Sequence, residues 1–115
     1  MNNNSYNKGL AGEMLALKYL QNKGFKHIAS RFKTRYGEID LIMQDGDTLV
    51  FVEVKYRSGS HAGDGLMAID MHKQERILLA AEQYLYENDI DSPIRIDALE
   101  ITSDGYYYVP NAINR

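Results

Sequence analysis

The stretch that decides the fold is Glu38-Ile39-Asp40-Leu41-Ile42-Met43, then Gln44-Asp45-Gly46-Asp47, then Thr48-Leu49-Val50-Phe51-Val52-Glu53-Val54-Lys55. Two runs rich in β-branched and apolar residues flank a short Asp-Gly-Asp turn, which is the pattern of a β-hairpin. Both runs are largely apolar, so both strands are expected to lie centrally in a sheet, covered on two faces. Strand residues alternate between faces. Glu53 and Lys55 therefore share one face, with Val52 and Val54 on the other. Register decides whether Asp40 joins them. A two-residue Gly46-Asp47 loop, or a four-residue loop over 45–48, sets Asp40 opposite Glu53 and Glu38 opposite Lys55. An Asp45-Gly46 loop moves Asp40 to a diagonal of Glu53 on the same face. A bulge or an odd loop breaks the pairing.

Upstream of the hairpin, residues 9–22 carry Leu10, Met14, Leu17 and Leu20 at helical spacing,. Asn or Ser residues near the start can cap this helix and Gly24 ends it. Residues 25–32 read as a strand with Phe25, Ile28 and Phe32 as its apolar members. Downstream, residues 57–67 are rich in Gly and Ser and read as a loop. A second helix is expected over about 70–88, with Asp70 as a natural N-cap. Pro93 opens a strand over 94–101, and Ser103-Asp104-Gly105 turns into residues 106–109. The order α-β-β-β-α-β, with one or two strands at the end, implies an α/β fold: one mixed sheet with flanking helices, residues 1–115 forming a single domain.

The bulk properties narrow the function classes. A chain of 115 residues is long enough to bury a core without staples,. The absence of cysteine excludes disulfides, thiolate metal sites and cysteine nucleophiles,. The polar, uncharged start Met1-Asn2-Asn3-Asn4-Ser5 lacks the features of a secretion signal. No apolar run approaches bilayer length, so no membrane partner and a cytoplasmic location are the default expectations. A net charge of −3 argues against nonspecific coating of nucleic acid,. The charge is uneven. Residues 23–35 hold Lys23, Lys26, Arg31, Lys33 and Arg35 without an acid, whereas residues 82–104 are strongly acidic. One reading is a molecule with a single anion-facing side; the other is two ordinary solvated faces.

The chemistry lies in the hairpin. Two carboxylates side by side among Val, Ile and Phe repel each other and resist desolvation. A divalent cation resolves both problems. Mg²⁺ takes oxygen ligands and keeps several waters, a role that suits Asp40 and Glu53 with the backbone carbonyl of Val54. Lys55 can orient the attacking water or neutralise developing phosphate charge. The plainer alternative is a salt-bridged cluster with Lys55 as counter-ion. Glu13 falls inside the apolar stripe of the first helix, where a carboxylate needs a partner or a metal, although a first-turn glutamate is also favoured by the helix dipole. Lys73 and Arg76 share a face with Ile77, Ala80 and Tyr84; they can reach a phosphate backbone, or simply snorkel.

Other motifs carry less. His27, His61 and His72 have no metal-ligand spacing, and Ser58 and Ser60 lack a nucleophile motif. Gly59, Gly63 and Gly65 do not form a phosphate-cradling loop. Tyr106-Tyr107-Tyr108 can stack on bases, but a tyrosine-rich edge strand is the simpler reading.

Gly37-Glu38-Ile39-Asp40-Leu41-Ile42 with Val50-Phe51-Val52-Glu53-Val54-Lys55 resembles the PD-(D/E)XK nuclease pattern. More closely it resembles the YraN (UPF0102) family of small bacterial proteins, itself similar to archaeal Holliday-junction resolvases and restriction-endonuclease-like folds. The likeness extends to Gly12-Glu13 with Tyr19-Leu20, Lys73, Arg76 and Ala80-Ala81, Arg95-Ile96-Asp97, and Asn111-Ala112. It departs from the pattern at Ile39, where the superfamily name has a proline, and at Phe32, where an asparagine is expected. The resemblance implies a restriction-endonuclease-like sheet, with Glu13, Asp40 and Glu53 as the acidic positions and Lys55 as the motif lysine.

The expected activity is therefore Mg²⁺- or Mn²⁺-dependent hydrolysis of DNA phosphodiester bonds, with branched DNA and a homodimer suggested by the likeness to resolvases. Lys73, Arg76, Arg57, Arg31, Lys33 and Arg35 would hold the DNA, and the 57–67 loop would contact it. The alternatives are a nuclease-fold module that binds DNA or a repair partner without cutting, and a metal hydrolase acting on another phosphoester.

Overall fold

The computed structural model describes residues 4–57 and 71–113, with side chains from Gly12 onward. In chain order the elements are α1 (Asn4–Asn22), β1 (Lys26–Thr34), β2 (Gly37–Asp45), β3 (Thr48–Tyr56), α2 (Met71–Glu87), β4 (Ile94–Thr102) and β5 (Gly105–Ile113). The expected α/β order holds, with β5 as the final strand. The expected loop beyond Arg57 and the Asp70 cap lie outside the described residues.

The strands form one mixed sheet in the order β1-β2-β3-β4-β5. Only β3 and β4 run parallel. A parallel pair needs a crossover, and α2 lies in it. The hairpin takes the first of the expected registers, with Asp45 paired to Thr48 across Gly46-Asp47 and Leu41 paired to Val52. The two hairpin strands are central, and the tyrosine-rich β5 is an edge.

Each face of the sheet has its own core. On one, Ile42, Leu49, Phe51 and Ile96 pack with Ile77, Ala80 and Ala81 of α2. On the other, Leu41, Met43, Val50, Val52, Leu99 and Ile101 pack with Ala16 and Leu20 of α1. Among the described residues no helix is long and apolar enough to cross a membrane.

Helix α1 begins at Asn4, ahead of the expected start at Gly9. Met14, expected in the stripe, is 70% exposed, whereas the expected Leu20 is buried with Ala16, and the expected Leu17 packs partly buried against them. The helix ends in a Schellman arrangement, in which Phe25 N donates to Leu20 O and Gly24 N to Gln21 O,. Gly24 supplies the left-handed backbone at φ 97,. Close packing of α1 on β3 relies on Gly12, where a Cβ would stand 2.8 Å from the Tyr56 ring.

Strand β1 departs from simple alternation. Its register slips between His27 and Ala29, which leaves Ile28 exposed rather than in the core,. A second break follows at Arg31, whose φ is 55. Ala29 and Phe32, three apart, pack on the α2-side core, as do Ile39 and Ile42 of β2. The two strands therefore break alternation together where Arg31 falls opposite Asp40.

The acidic stretch 82–104 is not one solvated face. Asp97 and Glu100 are both fully buried in β4. Asp97 accepts Arg95 Nε at 2.9 Å and Arg95 Nη2 at 3.0 Å, the Asn111 backbone N–H at 2.8 Å, and the Tyr108 hydroxyl. Four donors around one carboxylate balance the loss of water. The contact also fastens β5 across the irregularity where Asn111 takes φ 54. Burial and the bond to Asp97 push the Tyr108 hydroxyl well above its usual pKa, so it remains a donor.

Candidate functional site

The β2–β3 ladder stops at Leu41 and Val52, one step short of Asp40 and Glu53. Two ionised carboxylates directly opposite each other repel. The structure deals with this in three ways. First, Asp40 Oδ2 accepts the backbone N–H of Val54 at 2.7 Å, so a carboxylate takes the place of a ladder carbonyl. Second, Asp40 holds its proton tightly. Its pKa is raised to about 7 by burial and by the neighbouring charge of Glu53, against the lowering effect of the Val54 bond,. Third, Lys73 crosses from α2 and sets its Nζ 2.5 Å from Glu53 Oε2.

Lys55 lies on the same face, and its pKa is lowered by burial first and then by the nearby Lys73 cation, with Glu53 opposing. Lys73 shows the opposite balance. Desolvation lowers its pKa, but the hydrogen bond and charge of Glu53 outweigh that and raise it. The face thus holds two carboxyl groups and two lysines, one with a weakened grip on its proton.

Glu100 adjoins this group and was not singled out from the sequence. It pairs with Lys55 in the parallel β3–β4 register, is fully buried, and lies 3.7 Å from Arg57 Nε. A glutamate inside the apolar run Ala98-Leu99-Glu100-Ile101 was the available signal. Arg57 itself is tied down by its backbone, whose N–H donates to Ile101 O at 2.8 Å.

Glu13 is not drawn into the Asp40–Glu53 pair. Its Oε2 accepts Arg31 Nε at 2.9 Å. Among the described residues, no three His, Asp or Glu side chains come close enough together to hold a metal ion. The pair alone nevertheless suits Mg²⁺ or Mn²⁺, which binds through one or two carboxylates and retains waters. The proton on Asp40 and the Lys73 cation on Glu53 are the kind of charge compensation that such an ion would replace. Val54 contributes its N–H to Asp40.

Beside the pair lies a cleft of about 350 Å³ between the β1–β2 turn and the start of α2. Glu38, His72, Lys73 and Arg76 line it, with Tyr36 and Ile77. Arg76 Nε donates to Tyr36 O at 2.9 Å and so ties α2 to the turn. Arg35 stacks on Tyr36, its guanidinium 5.0 Å from the ring centre. Lys33 and Arg35 are exposed on or just beyond the outer strand β1, with Arg31 in its ion pair. The expected basic residues therefore divide into a cleft group, Lys73 and Arg76, and an edge group.

Comparison with known proteins gives the family. The model described as "Uncharacterised protein family UPF0102" matches residues 12–101. A UPF0102 protein of Shewanella woodyi is 39% identical over 104 residues, covering 90% of this chain and 89% of its own. One from Shewanella sediminis is 39% identical over 115 residues, covering 97% and 98%. Another, from Psychromonas ingrahamii, is 43% identical over 99 residues, covering 86% and 81%. The matched span contains Glu13, the hairpin, Lys73 and both buried acids of β4, and the chain belongs to the UPF0102 family.

Proposed function

We propose that this chain is a metal-dependent DNA endonuclease of the PD-(D/E)XK type. The observation that carries the reading is the convergence of the Asp40 and Glu53 carboxylates with Lys55 on one partly desolvated face, beside a cleft lined by Lys73 and Arg76 together with Glu38. Carboxylates in that setting are costly unless a cation joins them. A bound Mg²⁺ or Mn²⁺ would polarise a phosphoryl oxygen and supply hydroxide near neutral pH. Asp40 and Glu53 would hold that ion. Lys55, with its lowered pKa, would orient the attacking water and exchange a proton with it. Lys73 and Arg76 would position the scissile phosphate, and Lys33 and Arg35 would track the backbone farther out. Glu13 would reach this chemistry only by leaving Arg31. Branched DNA and a symmetric dimer follow from the likeness to resolvases.

A second reading has one observation in its favour. Lys73 already neutralises Glu53, as expected of a module that binds DNA without cutting it.

Cleavage of linear, single-stranded, flap and four-way DNA with Mg²⁺, Mn²⁺ or chelator tests both readings, beside Asp40→Ala and Glu53→Ala proteins. Metal-dependent cutting abolished by each substitution is the expected result, and the favoured DNA then names the substrate. No cutting by a folded, metal-binding protein would leave the binding module. Cutting that survives both substitutions would remove these residues from the site.

A further inference from the structure

Lys73 stands where two sites meet. Its Nζ is 2.5 Å from Glu53 Oε2, and the residue also lines the cleft that holds His72, Arg76 and Glu38. The two partners differ in access: the Glu53 side chain is 9% exposed, that of Lys73 40%. A lysine is a compact charge on a flexible stem and can exchange partners without moving the helix. A phosphodiester entering the cleft offers it a second anion, in the company of Arg76. Glu53 would then keep Lys55 as its nearby cation, beside Asp40, a loss of charge compensation that a divalent cation makes good,.

We infer that Lys73 is an internal cation that occupies the metal-binding carboxylate until a DNA phosphate draws it into the cleft, so that metal and DNA binding reinforce each other. The inference rests on the metal-site reading above. Linkage makes the reinforcement reciprocal: the factor by which DNA tightens metal binding equals the factor by which metal tightens DNA binding. A lysine that merely adds repulsion toward metal would weaken it with or without DNA and would create no such coupling.

The test titrates Mn²⁺ into the full chain and follows the spectrum of free Mn²⁺ by electron paramagnetic resonance. It is run with and without a cleavage-resistant phosphorothioate duplex, with the duplex alone as blank. The proteins are wild type, Lys73→Met, Lys73→Gln and Glu53→Gln, each checked for folding by circular dichroism. Expected are Mn²⁺ binding about tenfold tighter in both Lys73 variants without DNA, tightening of the wild type by DNA of similar size, and loss of that DNA effect in both variants. Binding by the variants but not by the DNA-free wild type gives the same support in stronger form. Folded Lys73 variants that bind Mn²⁺ no tighter than wild type, or that keep the full DNA effect, would overturn the inference while leaving the metal site intact. Mn²⁺ binding absent from every protein, or unchanged in Glu53→Gln, would overturn the metal-site reading and the inference with it.

Discussion

Asp40 is under opposing pulls. The Val54 N–H favours its ionised form, whereas burial and the Glu53 charge favour the protonated one and win, holding its pKa at about 7. Folding raises this pKa above the ordinary 3.8, so between the two values the native state binds the extra proton,. Stability therefore declines as pH rises from about 4 to about 7. Thermal melts in chelator should show a midpoint that falls between pH 5 and pH 8, less steeply in Asp40→Asn, with Asp40→Asn the more stable protein at pH 8. Equal slopes would show that Asp40 titrates normally. Asp97 is the contrasting acid, encircled by donors from Arg95, Tyr108 and Asn111. Asp97→Ala should cost on the order of 3 kcal/mol in urea unfolding, because it leaves the Tyr108 hydroxyl and the Asn111 N–H without their acceptor and Arg95 with Asp45 as its remaining carboxylate,. From sequence, Asp40, Glu53 and Lys55 were legible because a short turn fixes their register locally. Asp97 read as part of an acidic face because two of its partners, Tyr108 and Asn111, lie on another strand. The contacts of Lys73 with Glu53 and of Arg31 with Glu13 escaped for the same reason: each joins separate elements.

The elements themselves were legible wherever a periodic pattern meets the sheet. The hairpin, both helices and the edge character of β5 follow from apolar spacing and turn residues. The distortions of β1 left no such mark. The left-handed backbone at Arg31 is carried by a residue that does not advertise it, and Ile28 has the composition of a core residue while sitting in a bulge. The contact of α1 on β3 was equally silent, since a glycine inside a helix usually signals weakness and here permits close approach. Gly12→Ala should destabilise by about 1–2 kcal/mol through overpacking against the Tyr56 ring,. The cost should shrink in a Tyr56→Ala background, and a double-mutant cycle of chemical denaturation measures the difference. An unchanged cost would place the strain in the helix rather than at the contact.

For the whole molecule, a net charge of −3 has to be reconciled with the polyanionic substrate proposed for it. The reconciliation is spatial. Two of the acids are buried in β4, Asp97 in its ion pair with Arg95 and Glu100 near Arg57, while Lys33 and Arg35 remain outside and Lys73 and Arg76 line the cleft. DNA binding by the proposed nuclease should therefore weaken as salt rises despite the acidic composition. Combined Lys33→Glu and Arg35→Glu substitutions should weaken it further and flatten the salt dependence by about one log–log unit per phosphate contact removed. Fluorescence anisotropy over a salt series reads both; affinity indifferent to salt would argue for a different phosphoester.

The bond from Val54 to Asp40 gives the molecule a built-in reporter. A backbone N–H held at 2.7 Å by a carboxylate with a raised pKa, the one proposed to take a cation, feels every change at that oxygen. Its proton resonance should lie downfield of its strand neighbours and shift as the carboxylate loses its proton. It should shift again, in a manner specific to this one amide, when a diamagnetic ion such as Mg²⁺ arrives. One cross-peak in a nitrogen–proton correlation spectrum would thus report the ionic state of the site without a substrate, a label or a turnover.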